Sequence, residues 1–264
     1  MPYYDSIDIV DPDEIDSPMM GSAMDNYLTT SKEHCHRKGQ LLYCSKGVIH
    51  FYCEKYYFLL PPSKAAWIPP GFQHDVHSAS KVNYRSLYID IKQFPNLPEQ
   101  MEILQVDPLL KLLIEKCCSF EPFYSKDSAA FRLAMVIVDA INQAIKLPLS
   151  LPKPSDERLK ALFRVLLASP GDIKSVNDYA QSVNITARTL NRITQKDIGM
   201  SFEKWRMQLR LMQAFDLLGC GLSVTEVSQR LGYSNDSTFI ARFKQWFGQT
   251  PARYRRKAQL TVII

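Results

Sequence analysis

The sequence lacks the features of membrane-spanning, secreted and fibrous proteins. No stretch approaches about 18 consecutive apolar residues, so we expect no helix that spans a bilayer. Residues 1–16 are acidic rather than basic and then apolar, which predicts that the chain carries no secretory leader. Apolar residues at 46% and charged residues at 22% are typical of globular domains and exclude a disordered chain, collagen and a coiled-coil rod. With 264 residues, the chain is long enough for two domains.

The cysteines do not have the spacing of a disulfide framework or a zinc knuckle. The sequence has six, none of which form a Cys-X-X-Cys pair. They are Cys35, Cys44, Cys53, Cys117, Cys118 and Cys220. Because no secretory leader is predicted, we expect reduced thiols in a cytoplasmic protein. Most of these side chains are expected to be buried as small apolar groups.

A proline-rich segment and a change of net charge mark the same domain boundary. Pro148, Pro152 and Pro154 exclude a continuous helix or a central strand here, so we predict a linker at residues 148–157. Residues 155–264 contain 17 Lys and Arg against 9 Asp and Glu, whereas residues 1–154 contain 15 against 18. Positive charge confined to the second half indicates a polyanionic partner for that half. A solvated basic face without a partner is the alternative.

The first half has the pattern of short strands followed by helices. Residues 48–53 and 82–89 are rich in β-branched and aromatic residues, which predicts an antiparallel barrel or sandwich over residues 29–95, after an N-terminal arm at 1–28. From residue 107 the period becomes helical, with Leu109, Leu113 and Cys117 on one predicted face. We expect the two helices of residues 96–147 to bury their apolar faces either against this barrel or in a subunit interface.

The second half is helical throughout, with breaks that predict about seven short helices. In residues 178–199, a turn at 184–186 separates two helices, and Thr186 is a suitable N-cap for the second, at 187–197. Leu190 and Ile193 anchor this second helix, whose other faces are polar and basic. A helix of this kind can enter the major groove of DNA.

A second helix-turn-helix unit repeats this plan. A turn at 232–234 precedes a helix at 236–247, which Ser234 or Asn235 caps and which Phe239 and Phe243 anchor. The two second helices begin at 187 and 236, and an amphipathic helix at about 201–218 connects the units. A rigid connection would let both helices enter one face of a duplex, one DNA turn or about 34 Å apart.

A long signature lies within residues 160–257. Its residues are Gly232-Tyr233-Ser234-Asn235-Asp236-Ser237-Thr238-Phe239-Ile240-Ala241-Arg242-Phe243-Lys244, Phe247-Gly248-Gln249-Thr250-Pro251 and Tyr254-Arg255, and in the first helix-turn-helix unit Ala180, Arg188-Thr189-Leu190-Asn191-Arg192, Gly199 and Ser201. Over this range the sequence resembles the AraC/XylS family of bacterial transcription regulators. The resemblance implies an all-α domain, assigned to residues 158–257, whose two helix-turn-helix units read adjacent major grooves.

The resemblance also implies which residues contact DNA. Base-facing positions fall on Arg188, Asn191 and Arg192 in the first unit, and on Asp236, Ser237, Ile240 and Ala241 in the second. Phosphate contacts are assigned to Thr186, Lys196, Arg242 and Lys244. Arg paired with guanine and Asn paired with adenine each contribute about 1–3 kcal/mol of discrimination. Because the second helix lacks such long donors, we expect the first unit to carry most of the hydrogen-bonded readout.

All five histidines lie between residues 34 and 77, in two clusters that resemble the two motifs of the cupin family. His34 and His36 share one face of an extended chain, and a later strand can bring His74 beside them. The first cluster continues to Gln40, and the second runs from Pro69 to His74 and His77. Gln40 stands where that family has a metal-binding Glu, and Ser78 replaces the usual Asn.

The residues assigned to this site are His34, His36, Gln40, His74 and His77. Neutral imidazoles with an amide oxygen can hold Zn²⁺, Ni²⁺ or Fe²⁺ and leave one coordination position open. The same groups can instead line a metal-free pocket for a small-molecule effector, or they can be hydrogen-bonded for structural reasons alone.

Taken together, the sequence predicts a multidomain protein with an N-terminal all-β cupin-like barrel, two following helices and a C-terminal all-α domain. The function predicted is that of a transcription regulator, not an enzyme, in which a small molecule or metal ion biases the binding of double-stranded DNA. The family resemblance implies a homodimer, RNA polymerase as a further partner, and action in the bacterial cytoplasm on the nucleoid without a membrane partner. The alternative is a metal-dependent cupin enzyme with an accessory DNA-binding domain.

Overall fold

The computed structural model describes residues 11–53, 56–62, 64–147 and 151–260, without the side chains of 257–260. These residues fall into two compact units. The first extends to residue 149 apart from the segment at 55–57, which groups with the second unit from residue 150 onward. None of the helices in the described ranges combines the length and apolar character that a bilayer crossing requires.

Within the described ranges, the first unit contains eight strands and two helices. Its strands are β1 (Met19–Tyr27), β2 (Gly39–Lys46), β3 (Ile49–Cys53), β4 (Tyr56–Leu60), β5 (Lys64–Ile68), β6 (His74–His77), β7 (Val82–Ile89) and β8 (Glu102–Gln105). Its helices are α1 (Pro108–Cys117) and α2 (Ala129–Gln143). One sheet has the strand order β1-β7-β2-β5-β8, and β6-β3-β4 belong to a second sheet. This arrangement confirms the predicted β-rich domain with two following helices.

Strand β2 shows how the sequence alternation forms the core. Leu41 and Tyr43 point to one side of the sheet and pack in a cluster with residues of α1 and α2. Leu42 and Cys44 point to the other side and pack with apolar residues of β3, β4 and β6. Because both sides of this strand are covered, all of its residues but the last are buried.

The helices after the barrel cover the barrel's own sheet. Leu110, Leu113, Ile114 and Cys117 of α1 are buried in the same cluster as Leu41. The prediction that Leu109 shares the face of Leu113 and Cys117 is wrong, since Leu109 is 59% exposed. A step of four residues turns a helix by about 400°, so positions four apart drift progressively away from a single face.

The barrel is longer than the predicted range of 29–95. β1 begins at Met19 and pairs with β7, and β8 pairs with β5 and extends the sheet to Gln105. The predicted arm at 1–28 therefore contains a strand, while its residues 1–10 lie outside the described part of the chain. β1 lacks a clear apolar alternation. It packs closely against the end of α1 because Gly21 has no side chain between the two backbones. A Cβ atom at Gly21 would lie 2.4 Å from Cys118 Cα.

The second unit consists of seven helices and a short strand among the described residues, which confirms the predicted helix number. They are β9 (Leu151–Pro152), α3 (Glu157–Ala168), α4 (Val176–Ser182), α5 (Ala187–Ile198), α6 (Phe202–Gly219), α7 (Val224–Arg230), α8 (Asp236–Phe247) and α9 (Pro251–Leu260). Of the predicted linker at 148–157, residues 148–150 lie outside the described ranges. β9 occupies residues 151–152, and α3 begins at Glu157, so the irregular connection in the described part is shorter than predicted.

Helix α6 forms the centre of the second unit. Its buried residues include Trp205, Leu209, Met212 and Phe215. α6 packs against a helix of each helix-turn-helix unit, α5 of the first and α7 of the second. This packing places the two units on one common scaffold.

Candidate DNA-reading helices and histidine cluster

The first helix-turn-helix unit is α4 and α5, and local hydrogen bonds define both of its helices. Ser175 and Asp178 form a capping box at the start of α4. Asn184 takes a left-handed conformation in the turn, with φ of 56°. Thr186 caps α5 by accepting a hydrogen bond from the backbone N–H of Thr189. Leu190 and Ile193 are buried, as the sequence predicted, so the opposite face of α5 points to solvent.

The polar face of α5 is exposed. Arg188, Arg192 and Lys196 are exposed, in agreement with a DNA-facing surface. Asn191 is also exposed, but its side-chain oxygen accepts a hydrogen bond from the backbone N–H of Phe202, at 3.3 Å. Gln195 lies on the same stripe, seven residues after Arg188, and is exposed as well. Sequence reasoning missed Gln195, although the helical spacing from Arg188 and Arg192 indicates it.

A cleft of about 390 Å³ lies beside the C-terminal half of α5. Its lining residues are Ser155, Asp156, Arg158, Arg192, Ile193, Lys196 and Asp197. The Asp197 carboxylate accepts hydrogen bonds from the backbone N–H groups of Ser155 and Asp156 and from the Ser155 hydroxyl. Burial opposes ionisation of Asp197, but these hydrogen bonds outweigh it and lower the pKa of the carboxyl group. The carboxylate thereby joins α5 to the start of α3.

The second helix-turn-helix unit is α7 and α8, and it uses the same local devices. Ser223 and Glu226 form a capping box at α7. Of the two predicted caps for α8, the structure uses Asn235, which accepts from the backbone N–H of Thr238 at 2.8 Å. Phe239 and Phe243 are fully buried and anchor α8. Each reading helix ends at a glycine in the left-handed conformation.

The outer face of α8 is less basic than that of α5. Ser237 and Ala241 are exposed, and Ile240 is half-buried. Asp236 is half-buried and accepts a hydrogen bond from the hydroxyl of Thr225 in α7. The two cations assigned to phosphate contacts, Arg242 and Lys244, are exposed. Short side chains on α8 therefore stand at positions where α5 carries arginines, since Ser237 and Ala241 follow Arg188 and Arg192 by the same 49-residue offset.

In the N-terminal compact unit, the structure brings together His34, His36 and His74. His34 and His74 form an antiparallel pair, with backbone hydrogen bonds of 2.9 and 2.8 Å between them. The ring centroids lie 4.8 Å apart for His34 and His36, 4.4 Å for His34 and His74, and 5.3 Å for His36 and His74. One ring nitrogen from each histidine lies within 4.8 Å of the others. Pairing of the two backbone segments thus produces the predicted three-histidine cluster.

Hydrogen bonds orient two of these rings. His34 Nδ1 lies 2.7 Å from the carbonyl oxygen of Lys32, and His74 Nδ1 lies 2.9 Å from that of Phe72. A neutral ring that donates through Nδ1 leaves a lone pair on Nε2. The Nε2 atoms of His36 and His74 are buried and have no hydrogen-bond partner among the described residues.

Burial favours the neutral form of His36 and His74. It is the main cause that lowers the pKa of His74 to about 4, while the hydrogen bond to Phe72 opposes this shift and the charges of His34 and His36 add to it. Burial and His34 also lower the pKa of His36, against the opposing effect of Asp13 and Asp11. Neutral imidazole is the form that binds metal ions.

Of the other two residues assigned to this site, the structure separates His77 from the three histidines. Gln40 is connected to them through Tyr88, whose hydroxyl lies 3.5 Å from the Gln40 amide nitrogen and whose ring packs against that of His36. The prediction that His77 joins the cluster is wrong, because residues 74 and 77 of β6 point to opposite faces of the strand. His77 Nε2 instead lies 3.6 Å from Asp75. Gln40 is buried, and its amide nitrogen donates to the hydroxyl of Ser86 at 2.8 Å and of Tyr84 at 3.2 Å. Its amide oxygen is buried without a partner in the described part of the chain.

Two family models match this chain. One is described as an AraC-like ligand binding domain and matches residues 21–168. The other is described as a helix-turn-helix domain and matches residues 179–257. Together they take in the histidine cluster, α5 and α8.

Two curated regulatory proteins and one solved structure are similar to this chain over most of its length. The HTH-type transcriptional regulator NimR of Escherichia coli (strain K12) is 31% identical over 234 residues, which is 89% of this chain and 85% of NimR. The Msm operon regulatory protein of Streptococcus mutans is 27% identical over 69% of this chain and 59% of its own length. The crystal structure of ToxT from Vibrio cholerae O395 covers 91% of this chain and 97% of its own, with 10% identity and a TM-score of 0.39.

Proposed function

The chain belongs to the AraC family of transcriptional regulators, and we propose that it reads DNA by inserting α5 and α8 into adjacent major grooves of one duplex. The observation that carries this proposal is the packing of both helix-turn-helix units on the single helix α6. Two reading helices on one scaffold favour binding to two sites at a fixed separation. In the bacterial cytoplasm, the target would be chromosomal DNA.

Within this function, we assign base readout chiefly to Arg188 and Arg192 of α5. Both guanidinium groups are exposed, and a guanidinium pairs with the O6 and N7 atoms of guanine. On α8, Ser237, Ile240 and Ala241 are short or apolar and suit contacts with thymine methyl groups. Thr186, Lys196, Arg242 and Lys244 suit phosphate oxygens, because each is exposed at or near one of the two helices.

Selection of DNA from a random pool by the full chain tests this proposal. We expect the enriched DNA to contain two short motifs about one helical turn apart, with the more strongly preferred bases in the motif bound by α5. A single motif, or two motifs at no fixed spacing, would contradict the proposal.

For the N-terminal compact unit, we propose that the effector site is built on His34, His36 and His74 and holds a divalent transition metal. Two buried Nε2 atoms without partners support this, because an unpaired buried acceptor costs free energy unless a ligand occupies it. Carbonyl groups that fix the Nδ1 side of His34 and His74 are the kind of support found behind metal-binding histidines. Three nitrogen ligands suit Zn²⁺, Ni²⁺ or Fe²⁺ and leave a position for a further ligand.

Metal analysis of the untagged full chain tests this assignment. We expect one equivalent of metal to be retained by the unaltered chain and lost in the variants His34→Ala and His74→Ala. His77→Ala is the matched control and should retain the metal, since His77 lies outside the cluster. If all three variants retain the metal, it is bound away from the three histidines. If the unaltered chain also lacks metal, no metal site is present. Either result would instead favour a metal-free pocket for an organic effector at the three histidines.

We further propose that this unit binds its effector without converting it. Gln40 supplies an amide at the position where an enzyme of the cupin type would carry a carboxylate, so the base for proton transfer is missing from that position. A metal-dependent enzyme remains the alternative function, and turnover of a small molecule by the metal-loaded full chain would favour it.

We also propose that two copies of the chain associate through the outer faces of α1 and α2. Leu109 and Leu112 of α1 and Met135 and Val136 of α2 are exposed, at 59%, 66%, 51% and 45%. Sedimentation of the variant Leu112→Glu tests this, and we expect a shift from dimer to monomer. RNA polymerase is a further proposed partner of the DNA-bound dimer.

A further inference from the structure

Two arginines of α6 connect the two helix-turn-helix units to one loop. Arg206 lies over the ring of Tyr179 in α4, with 4.9 Å between the guanidinium carbon and the ring centroid. The same guanidinium donates to the backbone carbonyl groups of Lys174, at 2.7 Å, and of Asp172. Arg206 thus fixes the loop that leads into α4 of the first helix-turn-helix unit.

Arg210, one helical turn later, makes the equivalent contacts with the second helix-turn-helix unit. Its guanidinium lies over the ring of Tyr233, in the turn between α7 and α8, at 5.8 Å. It donates to the carbonyl of Pro170 at 2.9 Å and to that of Asp172 at 2.8 Å. The carbonyl oxygen of Asp172 therefore accepts hydrogen bonds from both arginines. The result is a continuous set of contacts from Tyr179 in one unit to Tyr233 in the other.

The backbone of the same loop also touches the second unit directly. A Cβ atom at Gly171 would lie 2.0 Å from the carbonyl oxygen of Arg230, the last residue of α7. A Cβ atom at Gly232 would lie 2.6 Å from the carbonyl oxygen of Gly171. A Cβ atom cannot lie this close to another atom, so the two backbones meet here because both residues are glycines. The loop before α4 is therefore wedged against the turn that sets the direction of α8.

We propose that Arg206 and Arg210 are positioning residues that fix the orientation of α5 relative to α8 and thereby set the spacing between the two DNA motifs. The inference rests on the proposed function, in which both helices read one duplex. A planar guanidinium with several donors holds two acceptors and a ring in one geometry, which a lysine ammonium does not reproduce. Neither arginine needs to touch DNA for this role.

The spacing of the DNA motifs is the property that this arrangement controls. Moving one motif by a single base pair rotates it by about 35° around the duplex axis. Two linked binding modules gain about 100-fold or more in affinity only when both can engage at once. A fixed orientation therefore rejects an altered spacing, whereas a loose orientation tolerates it.

The test uses the full chain and DNA that the unaltered chain has enriched from a random pool. Duplexes are prepared with the two motifs at the selected spacing, at that spacing changed by one or two base pairs in either direction, and with one motif alone. For the unaltered chain we expect a loss of about 100-fold at a wrong spacing. For the variant Arg206→Lys/Arg210→Lys we expect a loss below about 10-fold, with affinity for the single motif within about 3-fold of the unaltered chain.

Arg255→Lys is the matched control, because the Arg255 guanidinium also donates to a backbone carbonyl, that of Gly221, but lies outside the Tyr179–Tyr233 contacts. We expect it to keep the spacing preference. If the double variant keeps that preference as well, the inference is wrong while the proposed function stands. If the unaltered chain shows no spacing preference, the proposed function is wrong and the inference fails with it.

A second measurement applies even where a variant binds DNA poorly, and the single variant Arg210→Lys serves if the double variant does not fold. Nitroxide labels at the exposed residues Gln195 and Gln245, introduced as cysteines in a Cys35→Ser/Cys220→Ser background, report the distance between α5 and α8. We expect a narrow distance distribution in the unaltered background and with Arg255→Lys, and a broader one when Arg210 is replaced. Equal widths in all three proteins would overturn the inference.

Discussion

The side-chain oxygen of Asn191 accepts a hydrogen bond from the backbone N–H of Phe202, with 3.3 Å between Oδ1 and N. Phe202 is the first residue of α6, where backbone N–H groups lack partners within the helix. A bidentate pair with adenine uses both the oxygen and the nitrogen of an asparagine side chain. Asn191 therefore stabilises the junction of α5 and α6 with the atom that it would need for adenine.

From this contact we expect Asn191→Ala to destabilise the C-terminal compact unit rather than to change its DNA preference. Loss of an acceptor at a helix N-terminus lowers the free energy of unfolding by about 0.5–2 kcal/mol. Asn191→Asp keeps an acceptor at this position and serves as the control, with stability near that of the unaltered chain. Urea unfolding, combined with DNA selection, measures both properties. A changed base preference with unchanged stability would return Asn191 to the base-reading set.

Arg192→Ala should change specificity. Because Arg192 is exposed on the stripe of α5 that faces away from the core, we expect a loss of about 1–3 kcal/mol of discrimination at one base pair. Affinities for a set of duplexes with single base changes measure this effect. Arg164→Ala, which removes an exposed charge from α3, is the control and should leave the preferences intact. An equal loss on every duplex with Arg192→Ala would move this residue to the phosphate contacts.

Lys244→Ala should weaken binding to all sequences alike. A lysine that neutralises a DNA phosphate releases a counterion, so its removal should reduce the slope of log affinity against log salt by about one unit. Titrations at several salt concentrations measure the slope. The neighbouring exposed residue Gln245 is uncharged, and Gln245→Ala should leave the slope unchanged. A slope unaffected by Lys244→Ala would remove this residue from the phosphate contacts.

The six cysteines should separate into two reactive and four protected thiols. Cys35 and Cys220 are exposed, whereas Cys44, Cys53, Cys117 and Cys118 are buried. Burial raises the pKa of Cys117 and of Cys118 to about 12, so at pH 8 the reactive thiolate is scarce at both positions. We expect a thiol reagent at this pH to label two groups in the folded chain and six after denaturation. Rapid labelling of a third group in the folded chain would contradict the described packing.

The second half shows how far local sequence signals extend. The caps Thr186 and Asn235 and the anchors Leu190, Ile193, Phe239 and Phe243 are predictable because each depends on residues within one or two helical turns. The number of helices follows from the same local rules. These signals do not predict the hydrogen bond that Asn191 accepts from Phe202, since Phe202 lies eleven residues away in another helix.

The first half shows where pattern reading is less successful. The period-two rule correctly places His34 and His36 on one face, but applied to β6 it separates His77 from His74. The barrel boundaries at 29 and 95 are too narrow because β1 and β8 are recognisable as strands only through their pairing with β7 and β5. Edge strands carry weak alternation, since only part of each is buried.

The sequence by itself determined that the chain has a strand-rich first half, a helical second half with two helix-turn-helix units, and a histidine-rich segment. These features follow from the periodicity of apolar residues and from capping residues, which act over a few positions. Tertiary structure alone decided which three histidines meet, and that Arg206 and Arg210 converge on the carbonyl of Asp172. The physical reason is that such contacts join residues more than 30 positions apart, and only the folding of the backbone brings these residues together.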